Sequence, residues 1–78
     1  MIERVINILA DFTTIKNDKI TEKSKLTVDL GLSSLDVINV VVAFEDEFDI
    51  EISPIDIVPD NFKNVDAIYA LVQRLQED

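Results

Sequence analysis

"DLGLSSLDVINVVVAFEDEF", residues 29–48, decides how this 78-residue chain folds. Residues 34–48 read as an α-helix: the apolar residues recur at helical spacing, and the paired serines Ser33 and Ser34 stand at its start. At roughly 100° per residue, Val37, Val40, Val41, Phe44 and Phe48 fall on one side and form a core stripe. Leu35, Ile38 and Val42 fall together on the opposite side. Ser34 and Glu45 border this second stripe on one edge, Asn39 and Asp46 on the other. Two readings fit it: a neighbouring helix covers it, or it is an apolar docking patch rimmed by acids. The acids favour docking. Glu45, Asp46 and Glu47 lie at the negative end of the helix dipole, where each costs about 0.3–1 kcal/mol before screening. Stability alone would favour a lysine there; a run of acids points to a partner that supplies the positive charge.

The flanks extend the helical pattern. Ile2, Val5, Ile6, Leu9 and Phe12 predict a helix over residues 2–16 that Asn17-Asp18 breaks. Val65, Ile68, Tyr69, Val72 and Leu75 predict another over 65–76, with Asn64 as its N-cap. "SPID" at 53–56 reads as a short helix start, with Ser53 as cap and Pro54 in the first helical position. Pro59 stops that piece within a turn or two. Leu26, Val28, Leu30 and Leu32 alternate, as does "FDIEI" at 48–52. A small α+β fold that pairs these segments is one reading. The preferred one is an extended loop whose side chains, Ile20 and Leu26 among them, plug into a helical core, because a loop this long without anchors is rare in so small a domain. No repeat, linker or low-complexity segment divides residues 1–78, which read as one domain.

Composition removes whole classes of function. The chain has no histidine and no cysteine. The commonest general base and the strongest nucleophile are therefore missing, as is any zinc site of the usual kind. One glycine excludes a glycine-rich phosphate loop. The acids from 45 to 51 lack the glycine and ligand spacing of a calcium loop. An enzyme is not expected. No signal peptide is expected at the start, where Glu3, Arg4, Asn7 and Asp11 interrupt the apolar residues. The longest apolar run, Val40 to Phe44, is too short to cross a bilayer. A soluble cytoplasmic monomer is the expectation.

Charge is segregated. Residues 26–62 hold nine acids and no base; the flanks hold seven of each, so the net charge of −9 resides in the middle of the chain. Such a field repels nucleic acid and anionic membranes and attracts basic surfaces.

The paired serines need a role. Ser33, three residues before Asp36, has the spacing of a capping box. Neither serine is an autonomous nucleophile: no histidine activates it, and "GLSSL" lacks the second glycine of a nucleophile elbow. A serine modified by another enzyme remains, and a helix N-terminus favours a bound phosphate.

At these residues the chain resembles the acyl carrier proteins. "DLGLSSLDVINVVVAFEDEFDIEI" is similar to their central motif, in which Asp-Leu-Gly, two further residues and Ser-Leu open the second helix. "ITEKSKL" at 20–26 and "DNFKNVDAIYALV" at 60–72 extend the likeness over nearly the whole chain. The resemblance implies an all-α bundle of three main helices and one short helix, with a long ordered loop before the second. It implies that Ser34 receives 4′-phosphopantetheine from coenzyme A through a separate, Mg²⁺-dependent phosphopantetheinyl transferase, and that acyl groups ride on the arm as thioesters. Loading and processing synthase enzymes with basic faces would be the other partners. The family's docking positions fall on Leu35, Ile38, Val42, Glu45 and Asp46, with Asp36 added at the head of the helix. An acyl cavity would be walled by Ile6, Leu9, Phe44, Phe48, Ile68 and Val72, unless the core is filled.

Three departures stand out. Ser33 replaces the usual Asp before the modified serine, which leaves Ser33 itself as a second candidate. Asn39 stands where the family often has Glu. "SPIDIVPDNF" is longer than its counterpart in typical bacterial fatty-acid carriers and looks more like carriers of polyketide or peptide assembly. The competing expectation is an acidic adaptor without a prosthetic group, which explains the charge and the stripe but not the Ser-Leu at its head.

Overall fold

The computed structural model describes residues 2–77. Three helices, α1 (Ile2–Ala10), α2 (Ser34–Phe48) and α3 (Val65–Glu77), pack around one core. Single 3-10 turns occupy Asn17–Lys19, Pro54–Asp56 and Pro59–Asn61. No strand forms among the described residues; an isolated antiparallel bridge joins Lys25 and Asn64. The fold is therefore all-α, as the resemblance implies, and the α+β reading fails.

Residue chemistry sets where each helix stops. The first helix ends at Ala10, not near residue 16. The Asp11 and Phe12 amides bond the Ile8 and Leu9 carbonyls at 3.1 and 3.0 Å, which tightens the last turn. Thr13 then leaves the helix. Its hydroxyl donates to the Leu30 carbonyl at 2.7 Å and accepts from the Ile15 amide. A threonine that bonds backbone in this way competes with helix formation, and the β-branched run Thr13-Thr14-Ile15 has little propensity to resist. The second helix has the predicted bounds. Ser33 caps it, and Asp49 ends it in the left-handed conformation at φ 52°. The third is capped by Asn64, whose side-chain oxygen accepts from the Ala67 amide at 2.9 Å. The expected short helix after Ser53 is one 3-10 turn, and Pro59 opens a second such turn as well as ending the first.

The loop between α1 and α2 is anchored as the sequence suggests. Ile20, Leu26, Leu30 and Leu32 are buried, while Val28 is 77% exposed. The alternation at 26–32 is thus not a strand period: the chain turns at Lys25, whose carbonyl accepts from both the Asp29 and Leu30 amides. The same loop completes α3. The Val65 and Asp66 amides, two of the four a helix start leaves unpaired, bond the Ser24 and Glu22 carbonyls at 3.1 and 2.9 Å.

The core is well shielded from water. Leu9, Val40, Phe44, Ile68 and Val72 meet at its centre with at most 1% exposure, and each such side chain contributes about 1.5–3 kcal/mol by leaving water. Arg4 joins α1 to the far end of α2. Its guanidinium bonds the Glu47 carboxylate and backbone carbonyl and lies 4.8 Å from the Phe48 ring centroid.

Candidate functional site

The two serines at the start of α2 have different situations. Ser33 is the N-cap, and its hydroxyl is committed twice. It accepts from the Asp36 amide at 3.2 Å and donates to Asp36 Oδ2 at 3.0 Å. The same carboxylate accepts from the Ser33 amide at 2.9 Å, which completes a capping box. Ser and Asp are equally good N-caps. Ser33 therefore keeps the helix start intact at the position where the family resemblance leads to an expected Asp. Asp36, expected at a docking surface, is half-buried and spends its carboxylate on the cap.

Ser34 is the first residue of α2 and is exposed. No group among the described residues bonds its hydroxyl. It faces solvent at the end of the helix where unpaired amides and the dipole favour an anion.

From Ser34 an open groove of about 710 Å³ runs between α2 and the 54–64 segment. Val37 and Ile38 form one wall; Ile57, Val58, Pro59 and Phe62 form the other, and Lys25, Thr27, Lys63 and Asn64 complete the lining. This volume is that of a small-molecule site. None of the six expected cavity residues lines it. Leu9, Phe44, Phe48, Ile68 and Val72 are buried in the core and Ile6 packs half-buried against it. Sequence reasoning missed the second wall. Its signal was the apolar content of "IDIVP" between two prolines, too short for any periodicity.

The second stripe of α2 is uncovered. Leu35 is 68% exposed, and Ile38 and Val42 are each 54% exposed. Ile55 continues the apolar surface beyond α2 at 83%. The three acids at the end of α2 differ sharply. Glu45 is half-buried, and its Oε2 accepts from the Ile52 amide at 2.9 Å. Glu47 is held by Arg4. Asp46 alone is exposed with no bond. Of the expected docking residues, Leu35, Ile38, Val42 and Asp46 thus offer free side chains on α2, while Asp36 and Glu45 are engaged in the fold.

An exposed, unbonded serine at a helix start, beside a groove, is open to modification by another enzyme. The family model for the phosphopantetheine attachment site matches residues 3–72. An acyl carrier protein of Akkermansia muciniphila is 35% identical over 74 residues, covering 95% of this chain and 90% of its own. The acyl carrier protein of Caulobacter vibrioides is 46% identical over 52 residues, 67% of each chain. Among solved structures, a chain of the Bradyrhizobium japonicum glycine:[carrier protein] ligase complexed with glycylated carrier protein superimposes with a TM-score of 0.73 at 30% identity. That match covers 90% of this chain and 96% of the other. The chain belongs to the acyl carrier protein family, whose members are non-catalytic carriers with 4′-phosphopantetheine as prosthetic group. The site fits that group: a free hydroxyl on Ser34, a helix start that favours a phosphodiester, and a groove lined in part by that serine.

Proposed function

We propose that Ser34 is the residue that receives 4′-phosphopantetheine, and that the chain carries short acyl groups for fatty-acid or specialised, polyketide- or peptide-type, biosynthesis in the cytoplasm. The contrast between the serines carries this reading: the Ser33 hydroxyl is tied into the cap, whereas the Ser34 hydroxyl is exposed and free. When bound, the arm supplies a terminal thiol that holds acyl groups as thioesters. The protein's own residues do the rest. The start of α2 favours the phosphodiester through its dipole. Val37, Ile38, Val58 and Phe62 offer an apolar surface beside the arm. Leu35, Ile38 and Val42 present the patch on which partner enzymes dock, and Asp46 with its acidic neighbours steers their basic faces to it. Asp36 and Glu45 position this surface rather than contact partners.

Two observations favour short cargo. The groove beside Ser34 is open to solvent, and none of the expected cavity residues in the core lines it. The similarity to a carrier that is glycylated in its complex supports small acyl groups, including aminoacyl groups, as cargo.

The test is intact mass after incubation with coenzyme A, Mg²⁺ and a broad-specificity phosphopantetheinyl transferase. Wild type and Ser33→Ala gain one phosphopantetheine, and Ser34→Ala gains none. Loss of the gain in Ser33→Ala alone, with Ser34→Ala still modified, would move the site to Ser33. No gain in folded wild type beside a working control carrier would refute the reading.

A further inference from the structure

The groove differs in charge from the rest of the molecule. The chain holds 16 acids and seven bases. Yet two lysines, Lys25 and Lys63, line this groove and no Asp or Glu does. They are the bases that flank the base-free stretch 26–62. The fold brings them together from distant parts of the chain through the Lys25–Asn64 bridge and the bond from the Leu26 amide to the Lys63 carbonyl at 3.4 Å. Both side chains are exposed. Among the described residues neither ammonium forms an ion pair; Asp29, the acid that bonds Lys25, accepts from its backbone amide at 2.8 Å. Apolar walls with two free ammonium groups and no acid make a lining suited to an amphiphilic anion.

We infer that Lys25 and Lys63 form an anion clamp: they bind an oxyanion borne on the Ser34 arm while the apolar walls take the methylenes beside it. This rests on the assignment of Ser34 as attachment site. Two sources present that chemistry, the phosphodiester of the arm and a carboxylate at the far end of a dicarboxylic acyl group. An exposed lysine pair acts through charge, so its grip weakens with salt.

The experiment uses protein loaded by the transferase from coenzyme A, butyryl-coenzyme A or succinyl-coenzyme A, with loading verified by intact mass. That control separates failure of the clamp from failure of the Ser34 assignment. The Lys25 and Lys63 side-chain ¹H–¹³C signals are followed in apo, holo, butyryl and succinyl forms, and thioester cleavage by hydroxylamine is timed. A carboxylate clamp leaves both lysines unmoved until the succinyl form. There it slows cleavage about threefold or more relative to Lys25→Gln/Lys63→Gln, while butyryl cleavage is the same in both proteins. A phosphodiester clamp moves the lysine signals at the holo step, with no difference in cleavage between cargoes. For a carboxylate clamp, Lys25→Arg/Lys63→Arg keeps the slow succinyl cleavage, because arginine retains the charge. Lysine signals unchanged in all loaded forms, with equal cleavage in wild type and the Gln variant, would overturn the proposal.

Discussion

Glu45 and Asp46 are adjacent acids at the same end of α2, and the structure requires that their removal have opposite effects on stability. In Glu45→Ala the Ile52 amide loses a carboxylate acceptor at 2.9 Å. Ile52 is 5% exposed, so water replaces that bond poorly. A hydrogen bond to a charged group contributes about 1.5–3 kcal/mol. Removing an anion from the negative end of the helix returns about 0.3–1 kcal/mol. The net loss is about 0.5–2.7 kcal/mol. For a domain of this size that lowers Tm by about 2–20 °C. Asp46→Ala breaks no bond and relieves the same dipole term, so its Tm stays level or rises by a few degrees. Thermal denaturation of both variants checks the signs. Transferase kinetics then separate fold from docking: at low salt Asp46→Ala slows modification about two- to tenfold, and the deficit shrinks as salt rises. Equal Tm for the two variants would refute the role of Glu45 in holding the loop. Wild-type modification rates for Asp46→Ala at low salt would refute the steering by α2.

Ser33→Ala costs about 0.5–2 kcal/mol in urea unfolding through loss of the cap, whereas Ser34→Ala leaves stability unchanged within about 0.5 kcal/mol. Leu26→Ala, which empties a fully buried position, costs about 2–5 kcal/mol, and Val28→Thr, two residues on, changes unfolding by less than about 0.5 kcal/mol. Gly31 sits at φ 70° with nothing within 4 Å of where a Cβ would point; Gly31→Ala therefore costs about 1–2 kcal/mol from backbone conformation alone, read as a shift in the urea midpoint.

The sequence pattern carried the helices and the serine but not the groove, and the reasons are physical. The core stripe of α2 was visible because Val37, Val40, Val41, Phe44 and Phe48 repeat over about three turns, long enough for periodicity to average out accidents. The end of α1 was not, because Phe12 continues the apolar spacing after the backbone has left the helix. It still packs half-buried against the core, so its apolar character carries no mark of the boundary. Leu26, Leu30 and Leu32 looked like a strand for a related reason: anchors in a winding loop obey only burial, and burial at every second residue imitates a period of two. The acids of α2 looked alike in sequence. Distance along the chain does not show that Glu45 reaches the Ile52 amide or that Glu47 meets Arg4. Nothing in the sequence links Lys25 to Lys63; the Lys25–Asn64 bridge and the Leu26–Lys63 bond give them a common place.

The bonds from the loop to the start of α3 have a consequence for the dynamics of the molecule. The Val65 and Asp66 amides belong to α3, but their acceptors belong to the loop. Their protons exchange with solvent when the loop lifts, whether or not the helix behind them unwinds. The Ile68 amide, bonded to the Asn64 carbonyl beside the helix itself, keeps its own protection. In hydrogen exchange, Val65 and Asp66 therefore follow the fluctuations of a segment some forty residues away. They form a built-in gauge of whether a loaded arm or a docked enzyme loosens the loop that borders the groove.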